Sequence, residues 1–270
     1  MAEFIEEYVD APIGKIQLWR AGSGPPLVYL HSAGGEHVHP ALEQLADSFE
    51  VIVPIFPGFE ESEGLDQIDG MDDAIFHLLD LWEILGLDAP PILGLSLGGW
   101  LALELATRYP ERVSRMVLVN PVGIYLDDQP MAEMFGRTPG ELADMLFADQ
   151  SYPVAAAMHA MDAFAGDVGK ETEIPLEFVL PMWKALGATA RLGWDPYLHN
   201  PKLRGRLRRV IAPTLIVAGA QDGLVPTIYA ETFAAEIRGA RLEVIEGAAH
   251  WLPFEKPDEL TALTRAFLSG

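Results

Sequence analysis

The chain has 270 residues, half of them hydrophobic, which suffices for a full core in one large α/β domain or a core with an insertion and excludes a repeat array or a small stapled module. Forty acidic against 18 basic side chains give a formal charge of −22, which repels phosphate backbones and anionic membrane surfaces and argues against a nucleic-acid partner. The absence of cysteine excludes disulfides, thiolate catalysis and cysteine-ligated metals. The opening MAEFIEEYVDAPIGK has no apolar run of signal-peptide length, and no stretch reaches the roughly 20 apolar residues of a membrane helix, so a cytoplasmic protein is expected, monomeric or homodimeric.

Phe4 to Val9 and Lys15 to Trp19 alternate around Gly14 and predict a hairpin able to extend a sheet antiparallel. Six short Val/Ile/Leu-rich runs follow, at 27–30, 51–53, 92–95, 116–119, 215–218 and 242–245, each of a length suited to a strand buried on both faces. Amphipathic stretches of helical period at 41–49, 72–85, 98–109, 229–238 and 258–268 separate them, and strand alternating with helix predicts a parallel sheet. The alternation lapses between Val119 and Leu215, where the patterning is helical throughout. Residues 122–209 are therefore expected to form an inserted helical cap on a core of residues 1–121 and 210–270. Six of the nine methionines (131, 134, 145, 158, 161 and 182) fall in that insertion and supply an adaptable apolar surface, for its own small core or for a substrate. Lys202, Arg204, Arg206, Arg208 and Arg209 form the only basic run, expected on a solvated helix face.

The chemistry concentrates at strand ends. Gly94-Leu95-Ser96-Leu97-Gly98 follows one strand and opens a helix, the setting a G-x-S-x-G turn requires; chance supplies roughly 0.07 such matches in a chain of this composition. Ser96 is the candidate nucleophile, held in a strained turn at the positive end of a helix. A serine hydroxyl needs a base and an acid to orient that base, and Asp222 and His250, each just beyond a predicted strand, lie on the same sheet edge in the order Ser, Asp, His. Asp127 or Asp128 is the alternative acid. An oxyanion hole would take the N–H of Leu97 and one from His31-Ser32-Ala33-Gly34-Gly35, with Ala33 preferred and Ser32 the alternative. Ser32, Trp183 and Trp251 are expected to contact substrate, and Arg191 is either a carboxylate ligand or a surface residue. His31, Glu36, His37 and His39 cluster in sequence. The stretch beyond Pro40 reads as a helix start, however, so no metal is expected there, although a histidine of this loop could touch substrate. With no phosphate loop or dinucleotide fingerprint, no cofactor is expected.

In the order of these parts, from PPLVYLHSAGGE through GLSLGGW and YPERVSRMVLVNP to GAQDGLVP and AAHWLPFEKPDEL, the chain resembles the α/β-hydrolase superfamily over almost its whole length. The resemblance implies an eight-stranded, mostly parallel sheet with helices on both faces and a helical cap after the sixth strand. It also implies a cofactor-free hydrolase acting on small molecules. Ser32 stands where glycine commonly follows the histidine, Glu60 where glycine is common, and Leu95 where histidine often precedes the serine. GLSLGG is similar to the enol-lactonase branch. His250-Trp251 with Phe254-Glu255 is similar to carbon-carbon hydrolases of ring-cleavage products, whose usual H-G-x-G-P-G and G-N-S are missing here. The expected activity is hydrolysis of a small or medium, largely apolar ester or lactone through an acyl-enzyme at Ser96. Alternatives are carbon-carbon cleavage of a vinylogous diketone and, in another class, a ligand receptor with a vestigial triad.

Overall fold

The computed structural model describes residues 2–35, 38–165 and 176–270, and the predicted hairpin is its first element. β1 (Ile5–Ala11) and β2 (Gly14–Ala21) turn at Gly14, whose φ of +135° lies where only glycine sits without strain. β2 then pairs antiparallel with β4 (Glu50–Pro54), not with β3 (Pro26–Leu30), its neighbour in sequence. From β4 onward every pairing is parallel, through β3, β5 (Ile92–Leu95), β6 (Met116–Val119), β7 (Thr214–Gly219) and β8 (Arg241–Ile245). The order is therefore β1-β2-β4-β3-β5-β6-β7-β8, a single eight-stranded sheet whose direction of growth reverses at β3. Such a reversal opens a crevice beyond the carboxyl ends of the adjoining strands.

α1 (Pro40–Leu45), α2 (Met71–Ile84), α3 (Leu97–Arg108), α7 (Ile228–Glu236) and α9 (Pro257–Ser269) are the expected helices of the sheet, and the short α8 (Leu252–Glu255) precedes the last of them. The central strands β5, β6 and β7 are buried along their whole length, as runs covered on both faces must be. β8 departs from that expectation: it pairs only with β7, and Arg241, Glu243 and Val244 are exposed on this edge. Trp82 and Trp100 anchor the core from α2 and α3, alongside Tyr29 of β3 and Tyr229 of α7.

Between β6 and β7 the chain is helical, with α4 (Pro139–Leu146), α5 (Pro153–Ala165), α6 (Leu176–Gly193) and a 3-10 segment at Arg204–Arg209. α4 begins with a capping box in which Thr138 Oγ1 accepts from the Glu141 N–H and the Glu141 carboxylate accepts from that of Thr138. The two ends of the insertion are stapled together, since Gly123 N–H donates to Leu198 O and Asn200 N–H to Gly123 O, both at 3.0 Å. Asn200 Nδ2 then reaches the fully buried Glu104 of α3 at 2.8 Å, which ties this double strand to the central helix. Lys202, Arg204, Arg208 and Arg209 of the basic run are exposed, as expected of a solvated face, with Arg204 paired to Glu236 at 2.7 Å and Arg209 donating to Thr107 O at 2.8 Å, while Leu203 and Leu207 turn inward and are buried.

Candidate active site

Ser96 occupies the turn between β5 and α3 with φ +53° and ψ −109°, a conformation that non-glycine residues adopt only when their surroundings enforce it. Three contacts do so. Ser96 N–H donates to Val119 O at 2.9 Å, a Cβ on Gly94 would meet Gly98 O at 2.7 Å, and a Cβ on Gly98 would overlap Leu30 O. The two glycines thus let α3 drop against β3 and β5. The strain at Ser96 aims its side chain across the carboxyl edge of the sheet, at the amino terminus of α3, where the helix dipole favours negative charge.

The loop after β3 wraps this terminus. His31 is buried and does not face the site: its Nε2 accepts from Phe56 N–H at 3.0 Å, which places the proton on Nδ1 and lets that atom donate to Ser32 O at 2.8 Å. The imidazole pins the loop to the end of β4. The loop's own turn takes the N–H of Gly34 (to Ser32 Oγ, 3.0 Å) and of Gly35 (to Ser32 O, 3.1 Å), and among the described residues it leaves that of Ala33 for a ligand. The Leu97 N–H is likewise one of the first-turn donors for which a helix has no acceptor of its own. His39 caps α1, its Nδ1 accepting from Leu42 N–H at 3.3 Å, and burial holds its pKa down to about 3. Neither His31 nor His39 is among the residues lining the cavity described below, and Glu36 and His37 lie outside the described residues.

Asp222 follows β7 and uses both carboxylate oxygens. Oδ1 accepts the N–H groups of Leu224 and Val225, each at 2.8 Å, and Oδ2 lies 2.7 Å from His250 Nδ1. Both side chains are almost fully buried. A carboxylate accepting at Nδ1 fixes the tautomer in which Nε2 carries the lone pair, the arrangement a general base needs. Asp127 and Asp128, the alternative acids, sit in another depression, beside Tyr125 and Arg204.

The two loops are tied by residues that the sequence did not single out. Asn120, at the end of β6 with φ +43°, donates from Nδ2 to Ala249 O at 3.1 Å and His250 O at 2.8 Å, and its Oδ1 accepts from Gly219 N–H at 2.9 Å. Gln221, beside Asp222, accepts from Gly247 and Ala248 N–H at 2.7 and 3.1 Å.

Ser96 and His250 open onto a cavity of about 270 Å³ between the sheet edge and the insertion. Ser32, Ala33 and Trp251 are among its lining residues. Met134, Leu142, Met145, Leu146, Met158, Met182 and Ala185 supply the apolar wall, so four of the six insertion methionines face the site. Trp183 does not: it is 60% exposed on the outer side of α6, and the neighbouring Met182 takes the inward position. Arg191 is also elsewhere, with Nε donating to Ile68 O at 2.7 Å and its guanidinium 2.9 Å from Asp69. Among the described lining residues none is a lysine, arginine or carboxylate. The described residues also hold no group of metal-ligating side chains and no helix long and apolar enough to cross a membrane.

A parallel sheet with a strained serine at its reversal point, and a buried acid-imidazole pair on the same edge, is the architecture of an α/β-type hydrolase. A family model described as "Alpha/beta hydrolase family" matches residues 5–263, and the chain belongs to that family. Among curated relatives, the 2-hydroxy-6-oxo-6-phenylhexa-2,4-dienoate hydrolase of Comamonas testosteroni is 28% identical over 282 aligned residues, covering 99% of this chain and 92% of the relative. Among solved structures, the hydrolase of the same name from Rhodococcus sp. strain RHA1 superposes with a TM-score of 0.75 at 22% identity, covering all of both chains. Naproxen esterase (carboxylesterase NP) from Bacillus subtilis does so with a TM-score of 0.74 at 20% identity, covering 99% of this chain and 92% of that one. The chain is a hydrolase of the α/β type; its Comamonas relative is named a hydrolase of 2-hydroxy-6-oxo-6-phenylhexa-2,4-dienoate, and the Bacillus structure that shares its fold is named an esterase.

Proposed function

We propose that this protein is a serine hydrolase of a neutral, largely apolar carboxylic ester or lactone, with residues 122–209 acting as a cap over the acyl group. Ser96 Oγ attacks the carbonyl carbon while His250 Nε2 takes its proton, and Asp222 stabilises the imidazolium that results. The oxyanion is received by the N–H groups of Ala33 and Leu97. Return of the proton to the leaving oxygen releases the alcohol, and water activated by the same imidazole hydrolyses the acyl-enzyme.

The observation that carries this reading is the composition of the cavity. Seventeen of the described residues line it, and apart from Ser32, Ser96, His250 and the Trp251 indole their side chains are apolar. A ring-cleavage acid entering such a wall would leave its carboxylate desolvated without a cationic partner among the described residues, at a cost of several kcal/mol. A neutral acyl chain gains about 0.8 kcal/mol for each methylene it buries.

Carbon-carbon cleavage of a vinylogous diketone is the second reading, favoured by the name of the Comamonas relative, which aligns over 99% of this chain. Both readings place the nucleophile at Ser96, and a receptor with a vestigial triad does not need one. The test is active-site titration. A fluorophosphonate should add one equivalent to the Ser96 peptide, and a p-nitrophenyl ester should release a stoichiometric burst that Ser96→Ala abolishes. Labelling elsewhere, or turnover retained in Ser96→Ala, would overturn the assignment.

A further inference from the structure

Glu255, next to Phe254 in the chain, binds two parts of the site at once. At the end of α8, its Oε1 accepts the N–H groups of Ala148 and Asp149, each at 2.8 Å, and its Oε2 accepts that of Ala249 at 2.8 Å. Ala249 immediately precedes His250. Ala148 and Asp149 lie just beyond α4, whose Met145 and Leu146 line the acyl cavity. Bonds from backbone N–H groups to an ionised carboxylate are roughly twice as strong as neutral ones, so three on one side chain make a firm joint.

A second set of bonds runs in parallel. Trp251 N–H, directly after the base, donates to Leu146 O at 2.9 Å, and Gly223 N–H, directly after the acid, donates to Met145 O at 3.1 Å. A Cβ on Gly223 would meet Met145 Cα at 2.8 Å, so the backbones touch. The end of α4, the acid loop and the base loop therefore form one hydrogen-bonded unit. The same two residues offer their side chains to substrate and their carbonyls to the neighbours of Asp222 and His250.

We propose that Glu255 is a positioning residue: its carboxylate fixes the base loop to the end of α4, so that the alignment of His250 with Asp222 depends on the insertion as well as on the sheet. The proposal rests on the reading of Ser96, Asp222 and His250 as the reacting set. Glutamine at this position keeps the volume but turns one acceptor oxygen into an NH₂ that faces an N–H, so one side of the joint must open.

The experiment compares Glu255→Gln and Glu255→Asp with wild type on a two-carbon aryl ester, with rates counted per fluorophosphonate-titrated site and folding followed by near-ultraviolet circular dichroism. Proton NMR follows the low-field Nδ1–H of His250 bonded to Asp222. We expect kcat to fall ten- to a hundredfold in Glu255→Gln with KM within threefold, together with loss or an upfield shift of the low-field proton. Glu255→Asp, which keeps the charge but shortens the reach, should show a smaller change of the same kind and answers the question if the glutamine variant does not fold. A kcat per titrated site within twofold of wild type and an unchanged low-field signal would overturn the proposal and leave Glu255 a purely structural residue. Hydrolysis retained in Ser96→Ala would instead remove the triad reading beneath it.

Discussion

Asn120 and His250 are joined by a bond from the Asn120 side-chain amide to the His250 backbone carbonyl, 2.8 Å long and buried at the end of β6. The same amide spans to Ala249 and Gly219, so one side chain sets the spacing between the β7 loop that carries the acid and the loop that carries the base.

Replacing Asn120 by alanine removes three buried hydrogen bonds at about 1 kcal/mol each, so a loss of roughly 2 to 4 kcal/mol in unfolding free energy is expected. Turnover should fall at least tenfold in the protein that remains folded. Asn120→Asp should be no better, because a carboxylate facing two carbonyl oxygens repels both. Urea titration with parallel ester assays checks this, and an alanine variant of wild-type stability and rate would refute the clamp.

Met182 and Trp183 are adjacent on α6 yet should behave oppositely. Met182→Ala removes part of the acyl wall and should lower kcat/KM on the best straight-chain ester about tenfold, with less effect on a two-carbon ester. Trp183→Ala, at an exposed position, should stay within twofold. A reversed pair of effects in a chain-length series would show that the outer face of α6 is the one that meets substrate.

Stability should fall in acid for an identifiable reason. Burial lowers the pKa of His77 from 6.5 to about 4 and that of His39 to about 3, so both are neutral in the fold near neutral pH. The unfolded chain binds protons at these residues first, so the stability they confer is complete above pH 6.5 and is lost as pH falls toward 4 and then 3. At pH 5 each histidine costs about 2 kcal/mol relative to pH 8. Among the described residues neither ring nitrogen of His77 has a hydrogen-bond partner, so His77→Leu sacrifices nothing polar and should remove its share of the acid loss. Urea midpoints at pH 8 and pH 5 test this. An equal pH dependence in wild type and variant would assign the loss elsewhere.

Much of the architecture was legible because it is local. β5 and β6 run over the residues expected, and α2 and α3 begin and end within a residue of expectation, since alternation of strand and helix leaves a strong periodic trace. The serine turn was legible for the same reason: its strain and both its glycines lie within five residues. What the sequence hid is contact between distant segments. Asn120 finds its carbonyls 129 and 130 positions away, Glu255 reaches the residues just after α4 across more than a hundred positions, and Arg191 meets Asp69 across 122. No periodic signal encodes such pairs. The choice between Met182 and Trp183 turned on the rotation of one helix that contains Pro181, which composition does not fix.

The central claim is that the cavity selects a neutral apolar acyl group, and competition between two substrate classes tests it most directly. We would measure kcat/KM for aryl esters of two to twelve carbons and for a vinylogous diketo acid under the same conditions. The cavity wall predicts a rise of roughly fourfold per methylene up to an optimum, then a fall, with the diketo acid slower than the best ester by at least a hundredfold. Cleavage of the diketo acid faster than every ester in the series would contradict the account and assign the site to carbon-carbon bonds.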